Sequence, residues 1–212
     1  MKLYLGSKYI QFPTVLSILV DAPPETAVVY VVVNAFDNYP DERRKMHIQT
    51  MLSSLAEIGY SYKMLDLRDF VNKKSDLKKL LLDADLLWVS GGNVFYLRYI
   101  LQQSGLDDIL PMLLKNGLTY GGDSAGAAVL GPNLRGLDML DDPTEAPDTL
   151  FEGLGITPFV ILPHWGNEKY KNEIGDANKE LSKWNKEIVK ISDTQACVID
   201  GNKFVIHGEP KV

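Results

Sequence analysis

Apolar runs alternating with amphipathic segments from the first residues onward predict an α/β fold, a three-layer sandwich with a mainly parallel sheet covered by helices on both faces. Two further features agree with it. The run Val28-Val29-Tyr30-Val31-Val32-Val33 is apolar without alternation, as expected of a central strand whose two faces are both covered. Near the end, Asp200-Gly201 separates two short apolar runs and predicts a closing β-hairpin.

Each element follows from local pattern. Strands are expected at Lys2 to Gly6, Ala27 to Asn34, Tyr62 to Leu67, Leu86 to Ser90 and Leu118 to Tyr120. Helices are expected between them over Asp41 to Ile58, Ser75 to Ala84 and Val94 to Lys115. The segment Pro143 to Pro158 is rich in Pro, Asp and Gly and reads as an irregular connection. A short strand Phe159 to Leu162 follows, then a polar helix from about Asn167 to Lys186, then two or three strands ending in a hairpin of Ala196 to Ile199 with Lys203 to Ile206. No repeat, low-complexity tract or long linker interrupts the chain, so residues 1–212 are read as one domain.

Composition excludes several functions. With 22 Lys and Arg against 28 Asp and Glu, the formal charge is −6, and no basic stripe appears, which argues against nucleic acid or an anionic membrane as partner. The longest apolar runs, such as Ala27 to Ala35, are too short to span a bilayer, and the N-terminus lacks a signal-peptide pattern, so a cytoplasmic location is expected. The single cysteine, Cys197, lies in the apolar run Ala196-Cys197-Val198-Ile199 and reads as an inert, buried strand residue. No His/Cys/Asp/Glu cluster has metal-ligand spacing, no G-x-G-x-x-G opens the first helix and no Walker lysine is present, so no cofactor is expected. The sequence leaves the oligomeric state open, a homodimer included.

Chemistry concentrates at the ends of the strands, where ligands bind in parallel α/β sheets. Gly122-Asp123-Ser124-Ala125-Gly126 has the G-x-S-x-G spacing of a nucleophile elbow, between an apolar strand and the start of a helix. Such a turn forces the serine into a strained conformation and leaves no room for side chains at the flanking glycines. A serine hydroxyl needs a general base, and of the 3 histidines His164 alone follows a strand on the predicted active edge. His47 lies within a helix and reads as a surface or packing residue; His207 ends the hairpin.

The base needs a carboxylate to hold its tautomer. Asp138, Asp141, Asp142, Glu145, Asp148 and Glu152 lie between Ser124 and His164, and physical chemistry leaves the choice among them open. Asp123 points away from its neighbour in a sharp turn and is expected to shape the pocket or its charge. Oxyanion donors are expected from the backbone of Ala125, at a helix N-terminus, and of Gly92. Asn93, in Gly91-Gly92-Asn93, reads as an N-cap that can share this substrate-binding turn.

These motifs together resemble the peptidase E group of serine peptidases, which includes aspartyl dipeptidases and, more distantly, cyanophycinases. Ser124-Ala125-Gly126-Ala127 followed by Pro132-Asn133-Leu134-Arg135 and Asp138-Met139 is similar to that family's nucleophile segment running into its catalytic aspartate. Leu162-Pro163-His164 resembles its histidine segment, and Gly91-Gly92-Asn93 its oxyanion turn. The likeness runs from Lys2-Leu3-Tyr4-Leu5 to Ile191-Ser192-Asp193-Thr194-Gln195-Ala196.

The resemblance implies a flavodoxin-like sandwich related to class I glutamine amidotransferases. It also implies a triad of Ser124, His164 and Asp138, with Asp141 as the alternative acid, and an oxyanion hole at Gly92 and Ala125. The implied activity is cofactor-free hydrolysis of small peptides, dipeptidase-like, through an acyl-enzyme. An esterase or amidase on the same triad, or a small-ligand-binding protein on the same scaffold, are the competing readings. An arginine after the histidine often receives the aspartyl side chain in this family, whereas Trp165 to Lys171 offers only lysines here, and Asp123 adds a negative charge. The substrate side chain is therefore left open.

Overall fold

The computed structural model describes residues 1–209. Its first half builds one sheet. The strands are β1 (Lys2–Gly6), β2 (Val29–Val32), β3 (Tyr62–Met64), β4 (Leu86–Val89) and β5 (Thr119–Asp123). The interleaved helices are α1 (Pro13–Leu19), α2 (Asp41–Ile58), α3 (Lys74–Leu81), α4 (Val94–Ser104), α5 (Leu106–Lys115) and the single turn α6 (Ala125–Ala128). The second half adds β6 (Val160–Leu162), α7 (Lys171–Trp184), β7 (Ile188–Lys190), β8 (Ala196–Asp200) and β9 (Lys203–His207).

The main sheet has 7 strands in the order β3-β2-β4-β5-β1-β8-β9. Its first five strands run parallel; β8 pairs antiparallel with β1, and β9 with β8. Successive residues of each strand face opposite helix layers, because strand side chains alternate. Tyr4, Val29, Val31, Leu86 and Trp88 pack with α1 and α2 through Leu16, Leu19, Met51 and Leu55. Leu3, Leu5, Tyr30, Val32, Leu87 and Val89 pack against the opposite layer, where Leu77, Leu97, Leu110 and Leu181 are buried. At about 25 cal/mol per Å², each fully covered leucine contributes roughly 2 kcal/mol, so two filled layers explain why the strands are apolar on both sides.

Three elements differ from the sequence reading. Ser104-Gly105 splits the expected Val94 to Lys115 helix in two: Gly105 sits at φ +74° and ends α4, the left-handed cap that glycine allows. Pro13 opens an additional short helix, its fixed φ suiting a first turn. The strand after the irregular segment stays out of the main sheet; β6 and β7 form their own two-stranded parallel pair. The C-terminal hairpin forms with Asp200 opposite Lys203. The last three residues of the single domain expected over 1–212 lie outside the described residues. Among the described residues no helix is long and apolar enough to cross a membrane.

In-register pairing sets Gly6 beside Asp123 on one side and Ala196 on the other. The chain leaving β1, the elbow after β5 and the turn before β8 therefore meet at one edge. The turn after β6 reaches the same place, since Trp165 N–H donates to Ile191 O.

Candidate active site

The elbow adopts the strained backbone its spacing requires. Ser124 has φ +48° and ψ −112°, a region non-glycine residues avoid, and its N–H donates to Gly6 O at 3.0 Å. Ser124 O accepts from the N–H groups of Ala127 and Ala128, which starts α6 immediately after the serine. Gly126 explains how that turn closes onto the sheet. A Cβ there would lie 2.0 Å from Val89 O, so a side chain would push α6 off β4.

His164 receives the Ser124 hydroxyl. The Ser124 Oγ to His164 Nε2 distance is 3.0 Å, and His164 Nδ1 lies 2.6 Å from Asp193 Oδ1. An ionised carboxylate only accepts, so Nδ1 carries the proton toward Asp193 and Nε2 is free to accept from Ser124. Burial disfavours charge on Asp193, but hydrogen bonds from His164, Ser7 and Asn167 outweigh it and hold its carboxyl well below the usual range. The acid is therefore ionised at neutral pH.

The carboxylate beside His164 is Asp193, not the expected Asp138 or Asp141. Asp138 does not reach His164; its Oδ1 accepts from Gly136 N at 2.8 Å and closes the tight turn Leu137–Met139. Asp141, the alternative, accepts from Val94 N–H at 2.9 Å at the start of α4 and lines the cavity without bonding the imidazole. Burial pushes its carboxyl up to about 7. The partner of His164 comes from the turn between β7 and β8, 29 residues beyond the histidine. Asp193 lies outside the segment between Ser124 and His164 in which the sequence reading places the acid. A polar Ser-Asp-Thr turn between two apolar strands, at the end of the sheet where the elbow opens, was the available signal.

Gly92 and Ala125 both line the cavity at Ser124, and among the described residues neither N–H is engaged by a hydrogen bond. Gly92 has φ +133°, and a Cβ would lie 2.2 Å from Ala35 O, so both conformation and space demand glycine. Asn93 is engaged as an N-cap: its Oδ1 accepts from Phe95 and Tyr96 N–H at 2.9 Å each, and its Nδ2 donates to Asp142 O. Asp123 is buried beneath the elbow, accepting from Tyr9 N–H and Gly91 N–H. Burial pushes it up to about 6 despite those bonds.

The cavity has a volume of about 520 Å³. His47 reaches it from α2, its Nδ1 2.8 Å from Tyr9 Oη and its ring stacked on Phe36. Burial, with Arg43 and Lys8 nearby, holds His47 below the ordinary histidine value. Cations do line the cavity, but they are Arg43 and Lys8 rather than the lysines after His164. Lys171 instead pairs with Glu168. Cys197 is buried in β8, its thiol pushed up to about 12 by burial, which leaves it unreactive.

Comparison with known proteins follows the same lines. The model of peptidase family S51 matches residues 40–207. The chain belongs to peptidase family S51. It is thus a hydrolase of the serine-peptidase class. It is 26% identical over 165 residues to the uncharacterized peptidase Lmo0363 of Listeria monocytogenes, covering 77% of this chain and 79% of that protein. It is 39% identical over 112 residues to a peptidase E of Streptomyces coelicolor, covering 53% of this chain and 42% of the relative. A Drosophila melanogaster protein named as a probable alpha-aspartyl dipeptidase is 28% identical, covering 66% of this S51 chain and 60% of its own. In three dimensions the fold is similar to the crystal structure of a peptidase from an acI-B1 Actinobacterium, with a TM-score of 0.75 at 19% identity over 98% of this chain and 87% of that one. A Listeria monocytogenes EGD-e structure with a provisional peptidase E name gives a TM-score of 0.82 at 21% identity, covering 97% of both chains.

Proposed function

We propose that this chain hydrolyses short peptides through Ser124, His164 and Asp193. The observation that carries the reading is the continuous hydrogen-bonded chain Ser124 Oγ, His164 Nε2, His164 Nδ1, Asp193 Oδ1, at 3.0 and 2.6 Å. Ser124 attacks the scissile carbonyl while His164 takes its proton; Asp193 holds the imidazole's tautomer and stabilises the imidazolium. His164 then gives the proton to the leaving amine, and the acyl group stays on Ser124 Oγ. Water, deprotonated by His164, releases the acid and restores the hydroxyl. The tetrahedral oxyanion of each half-reaction is taken by the free N–H groups of Gly92 and Ala125, the latter at a helix start whose peptide dipoles favour negative charge.

The size of the cavity supports a short substrate. A volume of about 520 Å³ is that of a small-molecule site rather than a cleft for a long chain. The name alpha-aspartyl dipeptidase carried by one relative agrees with small peptides. The test is a dipeptide panel assayed with wild type and Ser124→Ala, alongside fluorophosphonate labelling. Labelling and hydrolysis are both expected to vanish in the variant. Hydrolysis that persists in Ser124→Ala rejects the reading.

A further inference from the structure

We infer that Ser7 is a positioning residue of the catalytic apparatus, its one hydroxyl fixing the backbone of the base and the carboxylate of the acid at once. The inference rests on the reading of Ser124, His164 and Asp193 as the catalytic chain. Ser7 is the first residue past β1, fully buried, and lies beside the elbow because Gly6 pairs with Asp123. Its Oγ accepts from His164 N–H at 2.7 Å and donates to Asp193 Oδ1 at 2.9 Å. The directions are unambiguous, since a peptide N–H only donates and a carboxylate only accepts; a hydroxyl has one proton for the second and a lone pair for the first.

Two features of the partners make this contact more than packing. His164 has φ +61°, a left-handed conformation uncommon for any residue but glycine, and the Ser7 hydroxyl is the acceptor of its N–H. Asp193 Oδ1 receives both the imidazole and Ser7, while Oδ2 receives Asn167 Nδ2 at 3.0 Å. Ser7 therefore sets where the imidazole starts and where its carboxylate stands. Without the hydroxyl, the carboxylate loses a donor that spreads its charge, and the imidazolium form of the base gains.

The experiment compares wild type with Ser7→Ala and Ser7→Thr. For Ser7→Ala, kcat is expected to fall roughly 10- to 100-fold, by analogy with groups that orient the ligating side chains of metal sites, with KM little changed. The acid limb of the kcat/KM profile is expected to move to higher pH. Ser7→Thr, which keeps the hydroxyl, is expected to recover most of the rate. A purely structural role would reduce the amount of active protein without moving the pH profile, so rates are normalised to fluorophosphonate-titrated Ser124.

One readout is independent of turnover: the downfield proton resonance of His164 Nδ1–H is expected to be displaced or lost in Ser7→Ala and retained in Ser7→Thr. A Ser7→Ala protein with unchanged kcat, pH profile and resonance overturns the inference. If Ser7→Ala does not fold, Ser7→Cys is read in the same way, and failure of both to fold assigns Ser7 to the fold and also overturns it. Should the wild type neither label nor hydrolyse peptides, the peptidase reading fails, while the resonance still decides the role of Ser7.

Discussion

Ser124 and the two side chains hydrogen-bonded in series to it stand on different kinds of support. Ser124 is fixed by backbone: a strained φ at the end of a fully buried central strand, an N–H bonded to Gly6 and a helix turn pressed against Val89. His164 and Asp193 sit on turns beside the small β6–β7 pair, and side-chain hydrogen bonds from Ser7 and Asn167 hold them. A site built this way keeps its elbow when a polar side chain is changed, but loses its proton relay. Changes to elbow glycines do the reverse, damaging the packing that positions Ser124.

The sharpest separation comes from the two candidate acids. Asp193→Asn places an amide against the imidazole and favours the wrong tautomer, so kcat/KM is expected to fall by roughly 1,000- to 10,000-fold with the fold intact. Asp138→Asn changes a carboxylate bonded to Gly136 in its own turn and is expected to leave kcat/KM within about 3-fold of wild type. Steady-state kinetics on one dipeptide decides the matter. Equal large losses in both variants would refute the assignment of Asp193.

A second change probes the backbone side. In Gly126→Ala, the new Cβ would lie 2.0 Å from Val89 O, a backbone atom of a fully buried strand that has nowhere to go. Overpacking of this kind is expected to cost about 3 kcal/mol or more, with a large fall in Tm by calorimetry. Unchanged Tm and activity would show that α6 does not bear on β4 as described.

How far the sequence went follows the same division. The sheet and its main helices were legible because burial on both faces leaves uninterrupted apolar runs, and strand ends mark where ligand-binding turns lie. Ser124 and His164 were legible for that reason: Ser124 directly follows β5, and His164 stands one proline past β6. Asp193 was not, because an acid needs only to be near the base in space, and Asp138 was assigned by likeness to a motif whose aspartate closes a local turn here. The separate β6–β7 pair was illegible too, since an apolar run such as Val160-Ile161-Leu162 records that a strand is buried but not which strand it pairs with. The break at Gly105 had a signal, a Ser-Gly step inside a long amphipathic run, that periodicity alone overrode.

Asp123 gives the smallest effect and joins the two sides, since it lies beneath the backbone elbow yet carries a titrating charge. Its ordinary value is 3.8 and burial raises it to about 6 in the folded protein. Between those values the folded state holds a proton that the unfolded chain has released, so the slope of unfolding free energy against pH is negative there. Stability contributed by protonated Asp123 is full below about pH 4 and is lost as pH rises toward 6, by at most about 3 kcal/mol for a shift of this size. Asp193 acts in the opposite sense and in another window, because its lowered carboxyl loses stabilisation only as pH falls below the ordinary aspartate value. Denaturant melts of wild type and Asp123→Asn from pH 4 to 8 separate them. The negative slope between pH 4 and 6 is expected to shrink in the variant, although Asn loses an acceptor for Tyr9 or Gly91 N–H and the protein is less stable at pH 4. An identical slope in both proteins would mean that Asp123 is ionised throughout, and that the elbow carries a fixed negative charge beneath the nucleophile.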